Sequence, residues 1–168
     1  MAREKEIYEL MRMLVIASDK ELGEIMAARG VWSFGQSSRV QAAKALKKLV
    51  ELEKVESGKG FFRLPGCRSE YGEHSRLITR AIAELLINYP DSIIYREHFI
   101  PEIGLRPDAV VLLVKGQNGF CFVLEVMNNE TLQEVERKIR VWQQWNGASR
   151  YLSSLFKVRI PHYEIITL

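Results

Sequence analysis

The stretch Ser38-Arg39-Val40-Gln41-Ala42-Ala43-Lys44-Ala45-Leu46-Lys47-Lys48-Leu49-Val50, followed four residues later by Lys54-Val55-Glu56-Ser57-Gly58-Lys59-Gly60-Phe61-Phe62-Arg63-Leu64, decides how this chain is read. In the first of these segments Val40, Ala43, Leu46 and Val50, with Leu49, recur at helical spacing and are expected to face inward. Ser37 or Ser38 can cap that helix, which is expected to run to about Glu53. Arg39, Lys44, Lys47 and Lys48 fall between the apolar positions, and no acidic residue interrupts Ser38 to Val50. In the other segment, short β-prone runs flank Ser57-Gly58-Lys59-Gly60 on both sides, which predicts a hairpin.

Working outward, residues 3–17 place Ile7, Leu10, Met11, Leu14 and Val15 on one helical face. Ser18 and Glu21 form a capping-box pattern ahead of Leu22, Ile25 and Met26, and Gly30 is placed to end that second helix. Val31 to Gly35, containing Trp32 and Phe34, connects it to the basic helix. Helix, helix, basic helix and glycine-turn hairpin, in this order, are the elements of a winged helix-turn-helix. Such a domain is expected to bind double-stranded DNA. Ser38, Arg39, Gln41, Lys44, Lys47 and Lys48 would meet phosphates and base edges, and Lys59 a neighbouring phosphate. The alternative use of these elements is as a transcriptional regulator or protein-interaction module.

Pro65-Gly66-Cys67-Arg68-Ser69 is rich in structure breakers, and the pattern changes there. A DNA-binding domain over 1–66 and a second domain over 70–168 are therefore expected. The second begins with a helix over 72–88, bearing Leu77, Ile78, Ala81, Ile82, Leu85 and Leu86. Strands are expected over Ile93–Ile100, Asp108–Val114 and Phe120–Met127, the last two joined by a turn containing Asn118-Gly119. A helix starting at Asn128 or Asn129 follows, with Leu132, Val135, Ile139 and Trp142 as its apolar stripe. Tyr163–Leu168 is the last strand. The fold class expected is α+β: a winged helix followed by a small α/β domain ordered helix, three strands, helix, strand.

A hydrophobic fraction of 47% with 27% charged residues supports a folded globular chain rather than a disordered one. The longest apolar run, Ala109 to Val114, is far short of a membrane span, and residues 1–10 lack the apolar core of a secretory signal, so a cytoplasmic protein is expected. Residues 1–66 hold twelve Lys and Arg against nine Asp and Glu; residues 67–168 hold twelve against twelve. The whole net charge of +3 thus sits in the first segment. Cys67, Cys121, His74, His98 and His162 are too scattered for a zinc site, so any metal would be held by carboxylates.

Asp108 and Glu125 are candidates, because each is embedded in an apolar strand where a carboxylate needs a hydrogen bond, an ion partner or a cation. On adjacent antiparallel strands they could hold Mg²⁺ or Mn²⁺, with Glu97 as a third oxygen donor. Equally, Glu125 could face water or pair with Arg106 or Lys138 as a structural ion pair. Arg106-Pro107-Asp108 and Leu124-Glu125-Val126 resemble the core of PD-(D/E)xK nuclease-like folds. That resemblance implies metal ligation by Asp108 and Glu125 and a water-activating lysine two residues on, where this chain has Met127. Lys138, on the following helix, is the candidate replacement; it could point toward Glu125 or extend into solvent. The order of Phe61-Phe62-Arg63-Leu64-Pro65, Glu73-His74, Arg96-Glu97, Arg106-Pro107-Asp108-Ala109 and Leu124-Glu125-Val126 resembles the replication-relaxation family of mobile genetic elements. This implies a role in replication or transfer of a plasmid, integrative element or phage through recognition of duplex DNA. Met127 makes a non-catalytic second domain, used for homodimerisation or for holding a partner, the first expectation. A Mg²⁺-dependent endonuclease using Asp108, Glu125 and Lys138 is the alternative.

Overall fold

The computed structural model describes residues 2–66, 72–115, 118–127 and 131–168. The fold is α+β and divides into two compact units, Met1–Asp91 and Ser92–Leu168. Among the described residues no helix is long and apolar enough to cross a membrane.

The first unit contains α1 (Ala2–Leu14), β1 (Ile16–Ala17), α2 (Asp19–Ala28), α3 (Gln36–Glu51), β2 (Glu56–Gly58), β3 (Phe61–Arg63) and α4 (Gly72–Asn88). Ile7, Leu10, Met11 and Leu14 are fully buried, as their spacing requires. The first helix stops short of the expected residue 17, because Val15 adopts a left-handed φ of 65° that turns the chain into β1. The three strands form an antiparallel sheet in the order β1-β3-β2, with Ile16 opposite Arg63 and Ser57 opposite Phe62. Ser18 caps α2 in a complete capping box with Glu21.

Helix α3 is rotated relative to the expected orientation. Ser38, Ala42, Ala45, Leu46 and Leu49 form its buried stripe, whereas Val40 is exposed and Ala43 and Val50 are only partly covered. The reason is a close approach to α2. A Cβ added at Gly23 would lie 2.9 Å from the backbone of Ser38 and Arg39, so small side chains must line the contact. The first unit also extends further than the breaker-rich stretch suggests. Helix α4 belongs to it, and the buried Thr79 hydroxyl donates to the carbonyls of Leu14 and Ile16 at 2.7 and 2.8 Å. Residues 67–71, most of the expected linker, lie outside the described residues.

The second unit contains β4 (Ile93–Arg96), β5 (Ala109–Lys115), β6 (Asn118–Glu125), α5 (Leu132–Gln144), α6 (Ala148–Phe156) and β7 (Tyr163–Thr167). Its sheet has the order β4-β5-β6-β7: an antiparallel meander to which β7 adds in parallel beside β6. A parallel neighbour needs a crossover, and α5 with α6 supplies it. Val110, Leu112, Cys121 and Val123 pack with Trp142, Leu152, Phe156 and Ile160 to form the core of this unit.

Several details depart from the sequence expectations. Strand β4 ends at Arg96, because Glu97 takes a φ of 47°. Asn118-Gly119 lies in β6, Asn118 being paired with Lys115, so Gly116-Gln117 joins the strands; these two lie outside the described residues. Thr131, with Glu134, caps α5, and the expected caps Asn128 and Asn129 lie outside the described residues. Leu132 is exposed, leaving Val135 and Trp142 as the buried positions of α5. Helix α6 has no counterpart among the expected elements. Ala148, Leu152 and Phe156, spaced four apart, are its buried face.

Candidate functional site

Two groups of candidate residues lie in different units. In the first unit, α3 turns a face toward solvent that carries Gln36, Ser37, Val40, Lys44, Lys47 and Lys48, with Gln41 partly covered beside it. Lys44 and Lys47 have no ion-pair partner among the described residues. Lys48 lies 3.2 Å from Glu4, and Arg39 3.0 Å from Asp19 at the start of α2. Ser38 does not belong to this surface. It is buried, and its hydroxyl donates to the Gly35 carbonyl at 2.7 Å, closing the first turn of the helix. Lys59 is exposed at the turn of the β2–β3 hairpin. Beside that hairpin, the Arg76 guanidinium of α4 stands 3.4 Å from the centre of the Phe61 ring, a cation–π contact not foreseen from the sequence. Of the seven expected DNA-contacting residues, Lys44, Lys47 and Lys59 are exposed, with no ion pair among the described residues. Gln41 is partly covered, Arg39 and Lys48 are engaged by acids, and Ser38 is enclosed.

In the second unit, the registers Arg96 to Ala109, Ala109 to Leu124 and Glu125 to Thr167 put Glu97, Asp108 and Glu125 near one line across the sheet. Asp108 precedes β5 by one residue. Its Oδ2 accepts the Val126 N–H at 2.6 Å, while its carbonyl accepts the Glu97 N–H at 3.2 Å. Side chains alternate along a strand, so Asp108 shares a face with Val110 and Leu112, and Glu125 with Cys121 and Val123. This is the face covered by α5 and α6. There Glu125, 1% exposed, meets Lys138: Nζ lies 3.0 Å from Oε2.

Lys138 therefore turns inward, although its place on the flank of α5 also allowed a solvent-directed course. The buried carboxylate supplies the reason, since leaving it without a cation in low dielectric would be costly. Glu97 behaves differently. Its side chain is 45% exposed, with the Arg96 guanidinium 4.0 Å away, and its left-handed backbone breaks the pleat that would have aligned it with the other two. Among the described residues no group of three or more His, Cys, Asp and Glu is arranged to hold a metal ion, so the expected trio of Glu97, Asp108 and Glu125 is not assembled. Met127, at the position of the expected lysine, is exposed two residues beyond the end of β6. Two carboxylates plus waters and a phosphate would still suit Mg²⁺, which commonly takes one or two protein oxygens. Cys121 takes no part in this site: burial pushes its thiol up to about 12, so it remains protonated. Near the start of the same unit, His98 Nε2 and the Tyr151 hydroxyl are 2.7 Å apart; burial, followed by Glu102, raises the Tyr151 phenol above its ordinary value.

No family description and no curated protein matches the chain. Among solved structures, the crystal structure of protein VC1899 from Vibrio cholerae aligns with 98% of this chain and 46% of its own, at 10% identity and a TM-score of 0.22. The chain thus spans less than half of that protein's length, and a likeness so loose carries no argument about fold or function.

Proposed function

We propose that the first unit is a winged helix-turn-helix that binds duplex DNA, with α3 as the recognition helix and the β2–β3 hairpin as the wing. The observation that carries this reading is the solvent face of α3, where Lys44 and Lys47 stand exposed, with no ion pair among the described residues, on the side that also carries Gln36, Ser37 and Val40. Helix order, the three-stranded sheet β1-β3-β2 and Lys59 at the hairpin turn support it. Lysines of this kind bind by displacing counterions from phosphates, whereas the helix face between them is available to base edges. The proposed setting, replication or transfer of a plasmid, integrative element or phage, rests on the resemblance of the sequence motifs to the replication-relaxation family. Fluorescence anisotropy with a labelled 20-base-pair duplex tests the reading. Lys44→Gln/Lys47→Gln/Lys59→Gln is expected to weaken binding at least tenfold at low salt; equal affinity of the two proteins would refute it.

One observation favours a second reading for the other unit. Lys138 reaches Glu125 from the helix, which offers the lysine of the nuclease-like pattern a different origin from Met127. In that reading Asp108 and Glu125 hold Mg²⁺, which would supply Lewis-acid stabilisation of a phosphoryl oxygen. Val126 N–H orients Asp108, and the Lys138 ammonium, 3.0 Å from Oε2, holds the Glu125 side chain in place. Mn²⁺-dependent cleavage of supercoiled DNA that disappears in Asp108→Ala is its expected result. Cleavage that persists in that variant would exclude these ligands, and no cleavage by the wild type leaves the second unit as a non-catalytic holding domain.

A further inference from the structure

We infer that α3 discriminates between DNA sequences by apolar contact of Val40 with thymine methyl groups, so that the chain prefers A·T-rich duplex; the inference rests on the duplex-binding reading above. Val40 is nine residues from Leu49, about 900° of helical rotation, which places it half a turn from the centre of the buried stripe. It therefore points straight away from the core, and it is 41% exposed. Its neighbours one turn away are Gln36 and Lys44, and Lys47 lies two turns on, within about 20° of it. An apolar, β-branched side chain in the first half of α3, on a face that also carries Gln36, Lys44 and Lys47 and ends at Glu51, contributes neither to the core nor to helix propensity. The surrounding lysines commit that face to a polyanion by charge complementarity, and the polyanion that offers an apolar group to a helix is duplex DNA. In the major groove the C5-methyl of thymine is the one apolar feature among base edges. Gln36 and Gln41, which flank Val40 on either side, carry the amide that pairs with adenine N6 and N7, so the same helix face suits both members of an A·T pair.

Replacing thymine by uracil removes that methyl and nothing else from the base edge. Binding of wild type and Val40→Ala to an alternating A·T hairpin duplex, its alternating A·U counterpart and an alternating G·C hairpin makes a closed cycle. Burial of a methyl-sized group corresponds to about a fourfold change in affinity. The expected result is that wild type prefers A·T to A·U by about fourfold and A·T to G·C by more. In Val40→Ala binding to the A·T duplex is expected to fall about fourfold, to the level of the A·U duplex, so that the thymine-to-uracil preference vanishes. Alanine is the better helix former, so the variant keeps its fold. Equal loss on the uracil duplex by both proteins, or no loss by either, overturns the role of Val40 and leaves the duplex-binding reading standing. Absence of binding to all three duplexes overturns the duplex-binding reading itself.

Discussion

Lys138→Met is expected to destabilise the second unit by about 3 kcal/mol. The variant keeps the length and helix propensity of the side chain but removes the ammonium 3.0 Å from Glu125 Oε2. Breaking one partner of a buried ion pair costs roughly 3–5 kcal/mol, because the remaining charge stays in a medium that solvates it poorly. The Lys138 side chain keeps 16% of its exposure while that of Glu125 keeps 2%, which puts the expected cost at the lower end, about 3 kcal/mol. Urea unfolding followed by tryptophan fluorescence reads this unit through Trp142, which is fully buried on the same helix. With a slope of about 1.5 kcal/mol/M, the midpoint should fall by about 2 M. Glu125→Gln/Lys138→Met supplies the control: an amide in place of the carboxylate removes the buried charge, and at least about 1.5 kcal/mol should return. A loss below about 0.5 kcal/mol in Lys138→Met, or a double variant no more stable than the single one, would refute the claim that this ion pair holds the end of β6 to α5.

Further expectations concern the first unit and the buried thiol. Gly23→Ala should cost about 1–3 kcal/mol, since its Cβ would press on the Ser38 and Arg39 backbone, and thermal unfolding checks it. Thr79→Val should cost a similar amount, about 1–3 kcal/mol, because the Leu14 and Ile16 carbonyls lose its hydroxyl; native-state hydrogen exchange of the first unit reads the loss. Cys121 should resist iodoacetamide at pH 8 in the folded protein and react when urea unfolds it. With the thiol up at about 12, only about one molecule in ten thousand is a thiolate at that pH. The same shift removes stability as pH rises from 9.0 toward about 12, because the unfolded thiol ionises over that window while the folded one does not.

Sequence pattern carried the long elements and failed where tertiary contact decides between two plausible faces. The helix over 72–88 needed only its own periodicity and is found with those bounds, but nothing in its pattern says which unit it packs on. That is decided by Thr79 reaching two carbonyls at the end of α1 and the start of β1. Helix α3 has two overlapping apolar stripes, one through Val40, Ala43 and Val50 and one through Ala42, Ala45 and Leu49. The larger residues suggest the first; the close approach at Gly23 selects the second, with its smaller side chains. Helix α6 is short and serine-rich, and its signal is confined to Ala148, Leu152 and Phe156. Asp108 and Glu125 are legible because carboxylates are conspicuous in apolar strands. The inward turn of Lys138 is not, since helical position alone places it on a flank compatible with either course. Ser38 resembles a DNA contact by composition, and its enclosure follows from the same packing that exposes Val40.

The salt dependence of duplex binding tests the central claim most directly. Lys44, Lys47 and Lys59 should each displace counterions, so log Kobs against log salt should have a negative slope that becomes shallower by about 0.9 for every phosphate contact removed. Lys44→Gln/Lys47→Gln is therefore expected to flatten the slope by about 2 relative to wild type. Lys48→Gln, whose lysine is already engaged by Glu4, should change it least. A wild-type slope near zero, or a slope unchanged in the double variant, would contradict the assignment of α3 as a DNA-binding helix.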